Sequence, residues 1–242
     1  VIALALAARR GAFEGSLLCV LAAGAVALIG APGSRAATLA FSAGQLVLLL
    51  GLIEDSYRLA YHDELTGLPG RRALDEVLRT LDGTYAIAMV DIDHFKRFND
   101  RHGHSAGDQA LRMVAAELGH TGGGGRAYRY GGEEFAIIFP GIDVAAARGP
   151  LEDVRLAIAR RKFALRAPDR PNKRPSRPRG KTRPARHITI SVSIGLAGPR
   201  PQWNTPEAVL RAADRALYRA KNAGRNKVIA AGDRVKTTGA RR

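Results

Sequence analysis

The sequence predicts an α/β domain preceded by membrane-spanning helices, and three observations carry that prediction. Two long uncharged apolar runs dominate the first 55 residues. From about Tyr57 to about Gly232, helical and strand periodicities then alternate. The 242-residue chain is 46% apolar and 25% charged, which excludes disorder throughout. Its single cysteine, Cys19, excludes a disulfide-stapled fold and a Cys-rich zinc site, and points to a reducing compartment.

An apolar piece, Val1 to Ala8, precedes Arg9-Arg10; the uncharged runs follow from Gly15 to Ser34 and from Ala36 to Ile53. At 1.5 Å per residue these reach roughly 30 and 27 Å, about the hydrocarbon thickness of a bilayer. They predict two spans joined at Pro32-Gly33-Ser34, with Arg9 and Arg10 marking the inner face and the hairpin returning the chain to the cytoplasm; the competing reading is a buried helical hairpin of a soluble protein. The chain is expected to be the C-terminal portion of a longer polytopic protein, with residues 1–55 as its membrane region and 56–62 as a linker.

After the linker, Arg71 to Leu81 reads as a helix with Ala73, Leu74, Val77, Leu78 and Leu81 on one face. Tyr85 to Ile92 is an apolar run of strand length, Asp91 to Lys96 closes it and opens the next helix, and Ser105 to Leu118 is a further amphipathic helix. Arg126 to Tyr130 and Glu133 to Phe139 read as strands of a hairpin, with Gly131-Gly132 expected to supply the positive φ of a tight turn. Val144 to Arg161 follows as a helix disturbed near Gly149-Pro150, and His187 to Leu196 as an alternating strand. Pro206 to Asn222 is a helix stopped by Gly224, and Lys227 to Ala230 a last strand.

Charge is distributed unevenly. Of the net +16, Arg160 to Arg186 holds +11, from twelve Lys and Arg against Asp169. Pro168, Pro171, Pro175, Pro178 and Pro184 deny this tract regular structure, so residues 166–186 read as an extended loop. No aromatic residue interleaves the charges after Phe163, which makes nucleic acid an unlikely partner and anionic lipid the better one. The tail, residues 233–242, is also basic.

The chemistry concentrates at two places. Asp91 at a strand end can hold a hard divalent cation, and helix N-terminal amides with Lys96 beside them suit a polyphosphate. Gly131-Gly132-Glu133-Glu134 puts adjacent acids at an unobstructed tip. With Asp91 they offer the incomplete oxygen shell that Mg²⁺ prefers. Each segment alone also fits a helix cap or an exposed turn. His94, His102 and His104 sit among oxygen donors and are not read as a metal site. Tyr218 is read as packing, and Arg129 as a residue that orients the hairpin acids.

From about Asp63 to Val228 the chain resembles the bacterial diguanylate cyclases, known by a Gly-Gly-Asp/Glu-Glu-Phe signature. The resemblance rests on Gly131-Gly132-Glu133-Glu134-Phe135 together with Asp63 to Arg72, Asp91 to Asp100, Gly103 to Asp108, Ser191 to Gly195 and Tyr218 to Asn226. Several blocks in one order are far more specific than one short motif. The resemblance implies a nucleotidyl-cyclase-like α/β fold with a mostly antiparallel central sheet flanked by helices. It places residues 63–232 as a catalytic domain in the cytoplasm, at the bacterial inner membrane. The implied reaction condenses two GTP molecules into cyclic di-GMP with release of two pyrophosphates by a homodimer.

Carried onto this sequence, the resemblance makes Asp91 and Glu134 ligands of Mg²⁺ or Mn²⁺, with the Ile92 carbonyl, and puts Glu133 beside the metal, where it also assists deprotonation of the ribose 3′-hydroxyl. Lys96, Lys221, Arg225 and the Phe95 amide hold phosphates, and Asn99 and Asp108 read guanine. The family often carries an Arg-x-x-Asp product-inhibition site shortly before the signature. Gly122 to Gly125 stand there, so no product inhibition through that site is expected. Gly70 replaces the family's usual Asn before Arg71-Arg72. The competing reading is a silent relative that binds GTP or a partner without turnover.

Overall fold

The computed structural model describes residues 12–29, 35–164 and 187–233. It divides into two units, Val1–His62 and Asp63–Arg242. The Arg/Pro-rich loop 166–186, most of the basic tail, the Val1 to Ala8 piece and the Pro32-Gly33-Ser34 join lie outside the described residues.

The described part of the first unit is a pair of helices, α1 (Ala12–Ile29) and α2 (Arg35–Tyr61). They pack where α2 carries Gly44: a Cβ there would stand 3.7 Å from Ala23 Cβ and 3.7 Å from Val20 Cα. Elsewhere α2 leaves Leu39, Leu46, Leu50 and Ile53 exposed. Among the described residues one helix, α2, is long and apolar enough to cross a membrane, with mean hydropathy 2.0 over its apolar window. The described apolar stretch of α1, Gly15–Ala25, is shorter than a span.

The second unit folds around a five-stranded sheet. Its elements in order are α3 (Arg71–Thr80), β1 (Tyr85–Ile92), α4 (Phe95–His102), α5 (His104–Leu118), β2 (Arg126–Arg129), β3 (Glu134–Pro140), α6 (Val144–Arg160), the short pair β4 (Phe163–Ala164) and β5 (His187–Ile188), β6 (Val192–Ala197), α7 (Pro206–Asn222) and β7 (Val228–Ala230). The sheet order is β2-β3-β1-β6-β7, antiparallel except for the parallel β6/β7 edge, so the sheet is mixed as well as mostly antiparallel.

β1 is buried along its whole length, as its unbroken apolar run requires of a central strand covered on both faces. Its alternate residues serve two cores. Ala86, Ala88, Val90 and Ile92 join Phe135, Ile137 and Phe139 with side chains of α5 and α6. Tyr85, Ile87 and Met89 join Ala136 and Ile138 under α3 and α7. Period two places Asp91, the next residue of the second set, on the α3/α7 face.

Three sequence expectations need correction. Neither Gly131 nor Gly132 has a positive φ, so the hairpin connection is not a two-residue primed turn. It spans Tyr130 to Glu133, closed by the Tyr130 and Gly131 amides, which both donate to the Glu134 carbonyl at 2.9 and 3.1 Å. The strand expected over His187 to Leu196 is two strands: β5 pairs with β4, and the chain then joins β1 at Val192, opposite Ile92. Helix α6 runs unbroken through Pro150, with Ala147, Leu151, Val154 and Ile158 buried on one face and Asp143 accepting from the Ala146 amide at 2.8 Å.

Candidate active site

The ends of the central strands build the site. Asp91 on β1 lies directly opposite Glu134 on β3 and opposite Ser193 on β6, so these three side chains share the α3/α7 face. Glu133 sits one residue before β3, and its carbonyl accepts from the Ile92 amide at 3.4 Å. From α7, Lys221 reaches across that face, and its Nζ stands 2.8 Å from Asp91 Oδ2.

That reach depends on how deeply α7 sits on the sheet. A Cβ on Gly195 would come within 2.1 Å of both the Ala213 carbonyl oxygen and the Leu217 amide nitrogen, so the helix backbone lies directly on the glycine. Lys221 follows Leu217 by four residues, one turn along the same helix face.

The acids crowd one another. Burial pushes the Asp91 carboxyl up; Lys221 pulls it back through its hydrogen bond and charge, and Glu134 and Asp93 push it up again. Glu133 is likewise raised, first by burial and then by Asp91, with Lys221 opposing. Such a set demands positive charge, and the Lys221 ammonium supplies part of it. Among the described residues no group of three or more His, Cys, Asp and Glu side chains converges as a ready metal cage. The hard oxygen donors Asp91 and Glu134, in register and short of cations, nevertheless suit a divalent ion that completes its shell with water and phosphate.

The hairpin tip is held by Arg129, as the sequence suggested. Its Nε donates to the Gly131 carbonyl at 3.1 Å, one terminal nitrogen to the Gly132 carbonyl at 2.7 Å, and the other to Asp63 Oδ1 at 2.6 Å. Asp63 Oδ1 also accepts from the Thr66 amide and hydroxyl, at 2.9 and 2.6 Å. Burial would raise the Asp63 carboxyl, but these bonds from Thr66 and Arg129 outweigh it and bring it below the ordinary aspartate value. The block Asp63 to Arg72 thus anchors the signature. At Gly131 a Cβ would stand 3.1 Å from Glu134 Oε2, a tight contact that a small shift of the carboxylate would relieve.

Beyond Asp91, the chain turns through Asp93 and His94, which holds φ 58°, straight into α4. Phe95 is buried and fixes the first turn of α4, while Lys96 beside it is exposed. Asn99 lies over Gly107, where a Cβ would be 1.9 Å from Asn99 Oδ1, and Asp108 follows Gly107 on α5. Asn99 Oδ1 is buried and has no hydrogen-bond partner among the described residues. Arg225, half-buried, sits in the turn after α7.

Tyr218 is a further correction. It is 66% exposed, so it does not pack in the core; it lines a cavity of about 580 Å³ together with Glu134, Trp203, Arg215, Lys221 and Gly232. Sequence reasoning also missed Asp93, Asp63 and Gly195 as working parts. All three lie in the matching blocks, but only packing shows what each does.

Fold and site together define a nucleotidyl-cyclase-like α/β domain with acids at the ends of its central antiparallel strands. Residues 60–227 match the family described as "Diguanylate cyclase, GGDEF domain". The chain is 38% identical over 184 residues to diguanylate cyclase DgcP of Pseudomonas aeruginosa, covering 73% of this chain and 25% of that protein. It is 38% identical over 175 residues to diguanylate cyclase VdcA of Vibrio cholerae, covering 70% of this chain and 47% of that one. The crystal structure of the coiled coil and GGDEF domain of DgcB from Caulobacter crescentus, in complex with c-di-GMP, superposes with a TM-score of 0.68 at 34% identity, covering 80% of this chain and 97% of that one. The chain belongs to the GGDEF-domain diguanylate cyclase family, and it spans less than half the length of these two curated relatives.

Proposed function

We propose that this chain is a diguanylate cyclase that condenses two GTP molecules into cyclic di-GMP as a homodimer. The observation that carries the reading is the in-register pair Asp91 and Glu134, with Lys221 on Asp91 and Glu133 beside them. Asn99 and Asp108 would read guanine: an amide and a carboxylate complement its donors and acceptors, and Asn99 Oδ1, without a partner among the described residues, is an acceptor in want of a donor. Lys96, Arg225, Lys221 and the Phe95 amide would hold the phosphates.

In each of two steps the 3′-oxygen of one nucleotide bonds to the α-phosphorus of the other, the bond to pyrophosphate breaks, and the hydroxyl proton leaves. Glu133, raised toward neutrality, suits the acceptor of that proton. Asp91 and Glu134, with the Ile92 carbonyl and Glu133 alongside, would hold Mg²⁺, or Mn²⁺ in its place, which when bound neutralises phosphate charge. Each domain presents one nucleotide, so pairing of domains controls the rate, and orientation supplies much of the acceleration.

The exposed apolar side chains of α2 support an anchor in the bacterial inner membrane, with the catalytic domain in the cytoplasm and residues 56–62 transmitting its state. Contact of the basic loop with anionic lipid belongs to this picture. Gly122 to Gly125 offer no charged side chain for product inhibition; instead a Cβ at Gly125 would press within 2.8 Å of the Phe139 ring.

The test is incubation of the full chain, in lipid nanodiscs, with GTP and Mg²⁺, beside Glu134→Gln and a chelator-treated sample. Cyclic di-GMP from the wild type alone, lost on chelation and restored by Mg²⁺, is expected. GTP binding without product in a dimeric sample would establish the silent-relative reading instead.

A further inference from the structure

Asp93 has no part in the reaction described above, yet its carboxylate is heavily bonded. Ser191 Oγ donates to Oδ2 at 2.6 Å, Ser193 Oγ to Oδ1 at 2.6 Å, and the backbone amide of Asn226 to Oδ2 at 3.0 Å. The Asp93 amide in turn donates to the Ser191 carbonyl at 2.9 Å. One carboxylate therefore ties the end of β1 to the entry of β6 and to the turn that follows α7.

That turn is costly to hold. Gly224, Arg225 and Asn226 have φ of 101°, 60° and 44°, two successive non-glycine residues on the left-handed side. Left-handed backbone is disfavoured at a residue with a side chain and persists only where the surroundings impose it. The surroundings are on both sides. The Arg225 amide donates to the Ala220 carbonyl at 3.0 Å, the Asn226 amide is taken by Asp93, and Asn226 Oδ1 accepts from Arg155 at 2.7 Å. Arg155 is itself fixed by Glu152 at 2.6 Å.

We propose that Asp93 is a positioning residue: by capturing the Asn226 amide it holds Arg225 in the left-handed turn from which the guanidinium meets the substrate phosphates. The proposal rests on the reading of Arg225 as a phosphate cation. A side chain at 93 with no acceptor oxygen leaves the Asn226 amide and two hydroxyls without their shared partner, and the turn relaxes toward ordinary φ.

The experiment uses the full chain in nanodiscs, as wild type, Asp93→Ala, Asp93→Asn, Arg225→Ala and the Asp93→Ala/Arg225→Ala double variant. Hydrogen exchange over residues 222–228 is expected to quicken by about tenfold or more in Asp93→Ala while the β1 interior stays protected. For cyclic di-GMP formation, kcat/KM is expected to fall about tenfold in Asp93→Ala but less than twofold when the same change is made on Arg225→Ala. Asp93→Asn, which keeps one acceptor oxygen, is expected to recover at least a third of the wild-type value. Should Asp93→Ala lose its fold, Ser193→Ala leaves the carboxylate in place and is expected to show the same pattern at about a third of the size. Unchanged exchange over 222–228, or a full tenfold loss on the Arg225→Ala background, overturns the proposal. A wild type that makes no cyclic di-GMP refutes the cyclase reading instead, while the exchange result still decides whether Asp93 holds the turn.

Discussion

Gly195→Ala should uncouple Lys221 from Asp91 without touching either. The added Cβ would stand 2.1 Å from the Ala213 oxygen and the Leu217 nitrogen and 2.7 Å from Leu217 Cα, all backbone atoms that no rotamer change can move. Ordinary Cβ contacts begin near 3.4 Å, so α7 must lift from β6 by the difference, 3.4 less 2.1, or 1.3 Å. One turn further on, that displacement carries Lys221 Nζ from 2.8 Å to about 4 Å from Asp91, the outer edge of an ion pair. Overpacking of this kind costs about 1–3 kcal/mol. For a domain of this size each kcal/mol lowers the melting temperature by about 2–4 °C, giving a fall of roughly 2–12 °C. A misplacement near 1 Å at a reacting centre costs on the order of 100-fold in rate. Thermal unfolding and cyclic di-GMP formation by the full chain read the two effects. Gly149→Ala is the control, because a Cβ there meets nothing within 4 Å and Gly149 lies inside α6. A Gly195→Ala protein that melts with the wild type and turns over within twofold of it would refute the reasoning.

Arg129→Ala removes three hydrogen bonds, to Asp63, Gly131 and Gly132, and takes the cationic partner from a half-buried carboxylate that keeps its two bonds from Thr66; a loss of about 1–3 kcal/mol in unfolding is expected, with reduced turnover. Arg129→Lys should rescue little, since an ammonium cannot reach acceptors on two sides as the guanidinium fork does. Because the Asp63 carboxyl is held below its ordinary value, the stability it contributes is present above the unfolded aspartate pKa and is lost as pH falls through its folded one. Asp63→Asn should therefore be less stable at neutral pH and lose less on acidification, as pH-dependent denaturant unfolding would show; equal acid sensitivity would count against the assignment. The raised carboxyls of Asp91 and Glu133 carry the opposite sign, favouring the fold at low pH and less so as they ionise. Activity needs them ionised, so it should fall as pH drops and they protonate, and added Mg²⁺ should shift that acid limb to lower pH in a pH profile by favouring the ionised carboxylates; a limb that does not move with Mg²⁺ would count against a cation at these acids.

Much of this was legible in the sequence because it depends on local pattern. β1 announced itself as an apolar run, α7 by Pro206 at its start and Gly224 after its end, and the acids by their place at strand ends. Chain order also placed Asp91, Glu133 and Glu134 among plausible cation ligands. What stayed hidden depends on contacts between residues far apart in the chain. Asp63 and Arg129 are 66 positions apart, and Asp93 and Asn226 are 133. No periodicity reports such pairings. The hairpin glycines show the same limit from the other side: composition suggested a requirement for positive φ, and the structure shows neither glycine in that region but both offering their carbonyls to Arg129.

The sequence by itself determined the α/β class and the apolar N-terminal region, since these follow from hydrophobic period and length, and it singled out the acids through the ordered blocks that resemble the family. Only the tertiary structure decided which face of the sheet carries the acids, how close α7 brings Lys221, and that Asp93 holds a turn while Asp91 faces Lys221. Two aspartates two residues apart are equivalent in composition and in strand phase; they differ in what the rest of the fold sets against them.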